Sequence, residues 1–311
     1  MNVVFMGTSA FAVPALERLM ASRHTVVAVV TQPDRPQGRG RRIAASPVKQ
    51  VAAAQRLHIL QPHRASDPHL LAELNSLTPQ VIVVAAYGQL LRPALLTMPP
   101  LGCINVHASL LPKYRGAAPI NWALIRGERV TGVTIMLIDE TLDTGPILLQ
   151  SELAIEPSDD AGTLQDRLAT CGAETLLHAL DAMESGALSA VPQDHVKATY
   201  APKLRKEDGI VVWGRSADDL AHLIRGVTPW PGAVTTHQGK ALRIWRATPM
   251  AMSGSGRPGR VATIDALGIW VETGEGYLVL CEVQPAGGRR MAAGAYARGH
   301  ALRSEDVLGT C

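Results

Sequence analysis

Three polar residues, Asn105, His107 and Asp143, have the types and the spacing to carry out chemistry. Asn105 and His107 lie two residues apart in INVHASLLPKYRG (residues 104–116), so on a β-strand their side chains share one face. Asp143 follows the next long apolar run, in DETLDTGPIL. An amide N–H can stabilise a developing oxyanion, an imidazole with a pKa of about 6.5 exchanges protons near neutral pH, and a carboxylate can orient the imidazole or accept a proton. This set suits acyl transfer to an amine.

The same residue types also fit a purely structural interpretation. In that interpretation the asparagine caps a turn, the histidine is hydrogen-bonded within the core and the aspartate belongs to a turn. The residue types alone weigh the two interpretations equally. No serine or cysteine nucleophile accompanies the three residues, which favours direct attack by an amine over a covalent acyl-enzyme.

The sequence does not favour several other common chemistries. The first apolar run leads into GTSAF, where Gly7 is the one glycine present of a GxGxxG dinucleotide fingerprint. Asp34, after the second run, is therefore weak support for an NAD site. No phosphate loop of the form GxxxxGKS or GxxxxGKT and no GxSxG nucleophile elbow occurs. Dehydrogenase, NTPase and serine-hydrolase functions lose support on these grounds.

Apolar runs that alternate with helical patterns predict the elements that would position these residues. Continuous Val- and Ile-rich runs are typical of buried parallel strands covered on both faces by helices. The predicted strands are NVVFMG (2–7), TVVAVV (25–30), VIVVAAYG (81–88), GCINVH (102–107) and GVTIMLID (132–139). The pattern predicts an α/β fold, with a doubly wound, mostly parallel, Rossmann-like N-terminal domain. Ligands bind beyond the carboxyl ends of strands in such sheets, so we expect chemistry at the ends of the last two strands.

The second half of the chain has a different pattern. A predicted helix over about 162–184 closes the first domain, and a weakly periodic segment with prolines and basic residues follows it. Beyond it, short β patterns separated by glycine predict a small C-terminal β-barrel of the OB-like kind. The predicted organisation is a catalytic domain over 1–189, a basic linker over 190–206 and the OB-like domain over 207–311.

Length and composition are those of a globular protein with two domains. The chain has 311 residues, 47% of them hydrophobic, yet no apolar run reaches the roughly eighteen residues that predict a transmembrane helix. The start, MNVVFMGTSAF, matches a core strand and lacks the features of a signal peptide, so we expect a cytosolic protein. Four scattered cysteines and three neighbouring histidines match no disulfide or zinc spacing, so no metal is expected.

Two basic clusters lie on a chain whose formal net charge is only +3. The first contains no acidic residue and consists of Arg35, Arg39, Arg41, Arg42 and Lys49. The second consists of Lys197, Lys203, Arg205 and Lys206, with Asp194 before them. Such clusters can form an electrostatic footprint for a polyanion, and they can equally be solvated loops. Charge alone does not choose between these interpretations.

Beyond these local features, the chain resembles the folate-dependent formyltransferase family over nearly its whole length. The resemblance is carried by INVHASLLPKYRGAAPINWALIRGE and TGVTIMLIDETLDTGPIL, together with FMGTSAFAVPALERL, TQPDRPQGRGRR, SPVK, VVAAYGQLL, YAPKLRKEDGIVVW and PWPGA. The Asn-x-His-x-Ser-Leu-Leu-Pro stretch with a later Leu-Asp-x-Gly is highly specific for formyl transfer from 10-formyltetrahydrofolate. TQPDRPQGRG points to the branch of the family whose acceptor is a tRNA.

The resemblance implies roles for individual residues. Asn105, His107 and Asp143 would form the catalytic trio. The segment that binds tetrahydrofolate would include Ser109, Leu110, Leu111 and Pro112. The basic loop would meet the acceptor end of initiator tRNA through Arg39, Arg41 and Arg42. The C-terminal barrel would hold the tRNA flank, with the basic linker beside it.

The implied reaction moves a formyl group from 10-formyltetrahydrofolate to the α-amino group of methionine on initiator methionyl-tRNA, for the initiation of translation. The implied protein is a cytoplasmic monomer that uses no metal and binds no membrane.

Three other functions remain as alternatives. A formyltransferase of the same fold that acts on an amino-sugar nucleotide would share the trio, but it should lack the long Arg-rich loop at residues 34–49. A non-catalytic RNA-binding relative would keep the fold, and the intact trio counts against it. An NAD-dependent oxidoreductase would need the missing glycines.

Overall fold

The computed structural model describes residues 1–37, 42–252 and 256–309. The chain divides into two compact units. The first unit comprises Met1–Ala117, Val130–Ala154 and Gln165–Ala201, and the second comprises Ala118–Arg129, Ile155–Leu164 and Pro202–Cys311. Residues 118–129 and 155–164 therefore belong with the C-terminal part, and residues 190–201 belong with the first unit.

The strands of the described residues are numbered here in chain order. They are β1 (Asn2–Gly7), β2 (Thr25–Val30), β3 (Arg35–Gln37), β4 (Arg42–Ala44), β5 (Ile59–Leu60), β6 (Val81–Ala85), β7 (Cys103–His107), β8 (Arg115–Gly116), β9 (Val130–Leu137), β10 (Ile147–Ala154), β11 (Tyr200–Ala201), β12 (Ala233–His237), β13 (Lys240–Met250), β14 (Val261–Ile264), β15 (Ile269–Glu272), β16 (Tyr277–Pro285) and β17 (Met291–Ala292).

The α-helices are α1 (Val13–Met20), α2 (Pro47–Ala54), α3 (Pro68–Ser76), α4 (Pro93–Leu96), α5 (Pro119–Ile125), α6 (Ala161–Glu184), α7 (Ala217–Val227) and α8 (Ala293–Gly299). Short polar side chains fix several of their starts. Ser46 accepts a hydrogen bond from the backbone N–H of Lys49 at the start of α2, and Ser216 accepts one from Asp219 at the start of α7. Within the described residues, no helix is both long and apolar enough to cross a membrane.

A seven-stranded sheet organises the first unit, in the order β10-β9-β7-β6-β1-β2-β5. The strands from β7 to β5 run parallel, whereas β9 is antiparallel to β7 and β10 is antiparallel to β9. All five residues of β6 are buried, as expected for a strand covered on both faces. The predicted doubly wound, mostly parallel α/β domain is confirmed.

The strand order reverses between β1 and β6. From β1 the chain moves to β2 on one side, while β6 leads to β7 on the other. Loops that leave two such strands in opposite directions open a crevice at their carboxyl ends. The strand predicted over 81–88 ends at Ala85, because Ala86 and Gly88 have positive φ angles of 43° and 85° and turn the chain into that crevice.

The second unit is built on an antiparallel sheet in the order β12-β13-β16-β15-β14, with β17 paired to β16. Its core contains apolar side chains from the sheet and from α7, among them Leu220, Ile224, Ile244 and Leu280. Helix α5 packs on α7, where a side chain at Gly226 would collide with the backbone of Asn121. The predicted small C-terminal β domain is confirmed as this antiparallel sheet.

Candidate active site

Strand β7 carries Asn105 and His107 to the carboxyl end of the parallel part of the sheet. Its neighbours are β6, where Val84 pairs with Asn105, and β9, where Thr134 pairs with His107. His107 is 5% exposed and Asn105 is partly exposed. Because the two residues are separated by one position on a strand, their side chains project from the same face of the sheet.

The imidazole of His107 is held in one tautomer. Its Nε2 lies 3.0 Å from the carbonyl oxygen of Tyr114, and a carbonyl oxygen only accepts hydrogen bonds. Nε2 therefore carries a hydrogen, and Nδ1 is the ring nitrogen that gains and loses a proton. Nδ1 lies 3.7 Å from Oδ2 of Asp143. The structure thus brings together two of the three predicted catalytic residues.

Asp143 lies in a tight loop after β9. The carboxylate of Asp139 accepts hydrogen bonds from the backbone N–H of Thr141 and from the Thr144 hydroxyl, at 3.0 and 2.8 Å. Asp143 itself has a positive φ of 54°. A side chain at Gly145 would collide with the carbonyl oxygen of Leu137, so the Leu-Asp-x-Gly pattern has a steric cause at its glycine. These hydrogen bonds and the close packing at Gly145 fix the conformation of the loop that carries Asp143.

The carboxylate of Asp143 is also held from the other side of the site. Its Oδ2 accepts a hydrogen bond of 2.9 Å from the backbone N–H of Gly116. Gly116 has a φ of 118°, and a Cβ there would lie 2.7 Å from the carbonyl oxygen of Ala201. Only glycine allows β8 to pair with β11 this closely while its N–H donates to Asp143.

Cys103, two residues before Asn105 on β7, has no role as a nucleophile. Its side chain is buried, and its Sγ donates a hydrogen bond of 3.4 Å to the carbonyl oxygen of Leu95. Burial raises the pKa of Cys103 to about 12, which keeps the thiol neutral. A covalent acyl-cysteine at this strand is therefore not favoured.

The predicted folate-binding turn, Ser109–Pro112, is fixed by hydrogen bonds to its own unit. Thr134 Oγ1 donates to the carbonyl oxygen of Ser109 at 2.6 Å and accepts from the backbone N–H of Leu111 at 3.0 Å. Gln150 Nε2 donates to the carbonyl oxygen of Leu111 at 2.9 Å. Ser109 and Leu111 are buried, whereas Leu110 and Pro112 are partly exposed. Leu110 and Pro112 are therefore the members of the turn that offer apolar surface to a ligand.

A cavity of about 480 Å³ opens in the crevice at the carboxyl ends of β1, β2 and β6. Its lining residues are Thr8, Ser9, Gln32, Arg35, His63, Ala86, Tyr87, Gly88 and Gln89. Side-chain hydrogen bonds order this wall: Gln32 Nε2 donates to the carbonyl oxygen of Tyr87, and Arg35 Nη2 donates to Gln32 Oε1. Burial raises the pKa of Tyr87 to about 12.

The basic segment after β2 is described in part. Arg39 and Arg41 lie outside the described residues, and Arg42 begins β4, which pairs antiparallel with β3. Lys49 forms an ion pair of 2.7 Å with Asp34. Hydrogen bonds from Lys49 and then Gln61 hold the pKa of Asp34 below its usual range.

Two residues that the sequence patterns did not single out support the His107–Asp143 pair. Gln193 Nε2 donates to the backbone carbonyl oxygens of Asp143 and Gly145, at 3.0 and 2.7 Å. Thr199 Oγ1 accepts a hydrogen bond of 2.8 Å from the backbone N–H of Tyr114, whose carbonyl oxygen faces His107. Both residues lie in the segment predicted to be a surface linker, where no local motif marks them.

In the part of the chain that the structure describes, no cluster of three or more His, Cys, Asp or Glu side chains could hold a metal ion. The three histidines that lie close together in sequence, His58, His63 and His69, are exposed, and His58 pairs with Glu73 at 2.7 Å.

Known proteins share both the sequence and the fold of this chain. Residues 1–180 match the formyl transferase family, and residues 203–301 match the formyl transferase C-terminal domain. A protein named methionyl-tRNA formyltransferase from Pelotomaculum thermopropionicum is 49% identical over 310 residues, which are 99% of each chain. Another of that name, from Syntrophus aciditrophicus, is 48% identical over 308 residues, again 99% of each chain.

A solved structure extends the likeness in fold. The sugar 3N-formyl transferase WlaRD, studied in the presence of dTDP and 5-N-formyl-THF, has a TM-score of 0.67. The match covers 93% of this chain and 99% of that chain at 15% identity, which supports the shared fold alone. Together with the two matched domains, these likenesses show that the chain belongs to the formyl transferase family.

Proposed function

We propose that this protein transfers the formyl group of 10-formyltetrahydrofolate to the α-amino group of methionine on initiator methionyl-tRNA. The observation that carries the proposal is the arrangement of His107 beside Asp143, with Asn105 on the same face of β7. The names of relatives that are 49% and 48% identical over nearly the full chain support the acceptor.

The residues at this end of the sheet fit a formyl donor. The partly exposed Asn105 amide is a hydrogen-bond donor of the kind that a carbonyl oxygen needs. The rigid turn at Ser109–Pro112 offers the apolar side chains of Leu110 and Pro112 to a flat ring system. The folate supplies an activated formyl carbon and a nitrogen leaving group.

Asn105 and His107 stabilise the charge that develops in the reaction and supply the proton that the leaving group needs. An amide nitrogen is a poor leaving group, so negative charge must be stabilised on the formyl oxygen and a proton must reach the departing nitrogen. The side-chain N–H of Asn105 stabilises that charge. Nδ1 of His107 delivers the proton, because Nε2 is occupied by the carbonyl of Tyr114.

Asp143 serves the attacking amine. Free α-amino groups titrate near 7.7–8.0, and the electron-withdrawing ester lowers the pKa of the amine in an aminoacyl ester further, so a substantial fraction of the amine is unprotonated at neutral pH. The carboxylate positions the unprotonated amine and accepts one of its two protons as the new C–N bond forms, while the formamide product keeps the other. The hydrogen bond from Gly116 and the neighbouring His107 ring keep the carboxylate in place for both tasks.

The basic segment after β2 suits the acceptor end of a tRNA. Arg39, Arg41 and Arg42 provide planar guanidinium groups, which bind phosphate oxygens in a bidentate manner. The segment follows β2, whose carboxyl end lies at the same edge of the sheet as the carboxyl end of β7. An acceptor strand that approaches this edge would bring its phosphates past the arginines.

The parts of the chain take their proposed roles in the predicted order. Residues 1–189 carry the proposed catalytic residues, residues 190–206 form the basic segment, of which residues 190–201 group with that unit, and residues 207–311 hold the tRNA flank. We further propose that the protein acts as a monomer in the cytoplasm, where charged initiator tRNA and folate occur together.

A direct assay tests the proposal. The protein is incubated with 10-formyltetrahydrofolate and methionine-charged initiator tRNA, and the methionine is released and analysed for its formyl group. Parallel reactions contain methionine-charged elongator tRNA or an amino-sugar nucleotide. We expect rapid formylation of the initiator tRNA and much slower reaction of the other two acceptors.

The amino-sugar and RNA-binding alternatives predict different results in this assay. Faster formylation of the amino-sugar nucleotide would assign the acceptor to the sugar branch. Binding of tRNA without any formyl product would indicate a non-catalytic RNA-binding protein. Either outcome contradicts the proposed function.

A further inference from the structure

The buried amide of Gln193 uses its whole hydrogen-bonding capacity at the edge of the candidate site. Its Nε2 donates to the carbonyl oxygens of Asp143 and Gly145, at 3.0 and 2.7 Å. Its Oε1 accepts from Nε and Nη2 of Arg115, at 3.1 and 2.6 Å. Gln193 is 6% exposed, so water does not replace these partners easily.

These contacts connect the two chain segments that hold the Asp143 carboxylate. Gln193 binds Arg115 through its oxygen and the Asp143 backbone through its nitrogen. Gly116, the residue after Arg115, donates its N–H to the carboxylate of the same Asp143. One side chain therefore joins the two chain segments that hold the carboxylate, and the carboxylate in turn faces Nδ1 of His107.

We propose that Gln193 is a positioning residue for formyl transfer. It keeps the carboxylate of Asp143 in its position beside Nδ1 of His107. The proposal rests on the proposed function of the same site. The side chain of Gln193 bonds Arg115 and the backbone carbonyls of Asp143 and Gly145, and not the His107 ring or the Asp143 carboxylate. Its effect on the reaction passes through the backbone of residues 143–145.

Loss of the Gln193 amide leaves two backbone carbonyls and one guanidinium without their buried partner. The Asp143 loop and β8 are then free to separate, and the carboxylate moves relative to His107. A displacement of about 1 Å in a catalytic group can cost up to about 100-fold in rate. For Gln193→Met, which keeps the length of the side chain, we expect kcat to fall about 10- to 100-fold and KM for both substrates to stay nearly unchanged.

A double-mutant cycle with Asp143→Asn separates positioning from general structural damage. If Gln193 acts through the carboxylate, Gln193→Met should lower kcat no more than about 2-fold once Asp143 is already Asn. A residue that merely stabilises the fold would lower kcat by the same factor in both backgrounds. Gln55→Met, at an exposed position of the same unit, is the matched control and should leave kcat unchanged.

Gln193→Glu tests which half of the amide matters. The carboxylate keeps the Arg115 contact, but it cannot donate to the carbonyls of Asp143 and Gly145. We expect kcat to fall as in Gln193→Met, whereas the Tm of Gln193→Glu should be closer to that of the wild type. Wild-type turnover in Gln193→Glu would overturn the proposal, because the bonds to the Asp143 loop would then be dispensable.

A measurement without substrate distinguishes failure of this proposal from failure of the proposed function. The backbone amide proton of Gly116 reports its hydrogen bond to Asp143, and its NMR shift is read in the full-length protein. The shift should move toward that of an unbonded amide in Gln193→Met, in the same direction as in Asp143→Asn, and stay constant in Gln55→Met. An unchanged Gly116 resonance together with additive losses of kcat would overturn the positioning role, whatever the enzyme's acceptor is.

Discussion

Nδ1 of His107 lies 3.7 Å from Oδ2 of Asp143, while Nε2 of the same ring is committed to the carbonyl oxygen of Tyr114. One ring nitrogen is thus fixed as a donor, and the other is left to exchange a proton beside a carboxylate. That carboxylate accepts a second hydrogen bond from Gly116.

Replacement of His107 or Asn105 by alanine should abolish most turnover without weakening tRNA binding. Both residues lie at the end of β7, and neither belongs to a basic cluster. We expect kcat to fall by about 100-fold or more, as for other oxyanion and proton-transfer groups. His69→Ala, at an exposed histidine, is the control and should change neither kcat nor tRNA binding. Near-normal kcat combined with weaker tRNA binding would remove both residues from the catalytic role.

Thr134→Val should damage the predicted folate-binding turn. The hydroxyl of Thr134 bonds the carbonyl oxygen of Ser109 and the N–H of Leu111, and valine leaves both buried groups unpaired. An unpaired buried group costs about 1–3 kcal/mol, so thermal stability should fall and folate should bind more weakly. Thr170→Val, at an exposed position on α6, should change neither. Unchanged folate affinity in a destabilised Thr134→Val would separate the turn from the folate site.

The second unit contains a buried histidine that should make its stability depend on pH. Nδ1 of His237 lies 2.8 Å from the hydroxyl of Tyr296, and the ring is almost fully buried. Burial lowers the pKa of His237; the charge of Asp306 opposes this effect, and that of His300 adds to it. Since the pKa in the folded state lies below the value of about 6.5 in the unfolded chain, the unfolded state binds the proton more readily. The stabilising contribution is full above that value and is lost as the pH falls through the lower, folded pKa.

Thermal unfolding of His237→Gln checks this dependence. The loss of Tm between about pH 7.5 and pH 5.5 should be smaller in the variant than in the wild type. It should not vanish, because burial also lowers the pKa of His24 and of His222. His69→Gln should keep the wild-type dependence. A full wild-type loss of Tm in His237→Gln would show that this ring is not the titrating group.

Replacement of Arg39 and Arg41 by alanine should weaken the use of methionyl-tRNA and leave folate affinity unchanged. Each phosphate contact that is lost should flatten the dependence of binding on salt by up to about one unit of slope. The measurement is kcat/KM for initiator tRNA at two salt concentrations, with folate affinity determined alongside. Arg18→Ala, on α1 and outside the basic segment, is a matched control. If the double variant equals the wild type at both salt concentrations, the segment is not a tRNA-binding arm.

The central sheet could be predicted from the sequence because its signal is local. The apolar runs at β1, β2, β6 and β7 are mostly buried, so their continuous apolar composition identifies them. Strand β10 was not predicted, since it lies at the edge of the sheet and its residues are half-buried or exposed. Its sequence, ILLQSELA, has Gln, Ser and Glu at its centre, which interrupt the continuous apolar signal of the inner strands.

The candidate site could be predicted only in part. The spacing of Asn105 and His107 and the position of Asp143 after a strand are readable along the chain. The contacts that fix the pair are not, because Gln193 lies 50 residues from Asp143 and binds backbone atoms that exist at every position. The tautomer of His107 is set by the backbone carbonyl of Tyr114, and a backbone contact likewise cannot be recognised from the residue types.

The pH–rate profile of Asp143→Asn tests the central claim most directly. An amide can orient a neighbour but cannot accept a proton, and it places an N–H donor where Gly116 already donates. Single-turnover formylation of initiator methionyl-tRNA is measured from about pH 6 to pH 8, the range in which a histidine exchanges its proton, with Asp166→Asn as an exposed control. We predict a rate lower by about 100-fold or more throughout this range for Asp143→Asn and a wild-type profile for the control. Wild-type rates across the range in Asp143→Asn would contradict the account, because the carboxylate beside His107 would then handle no proton.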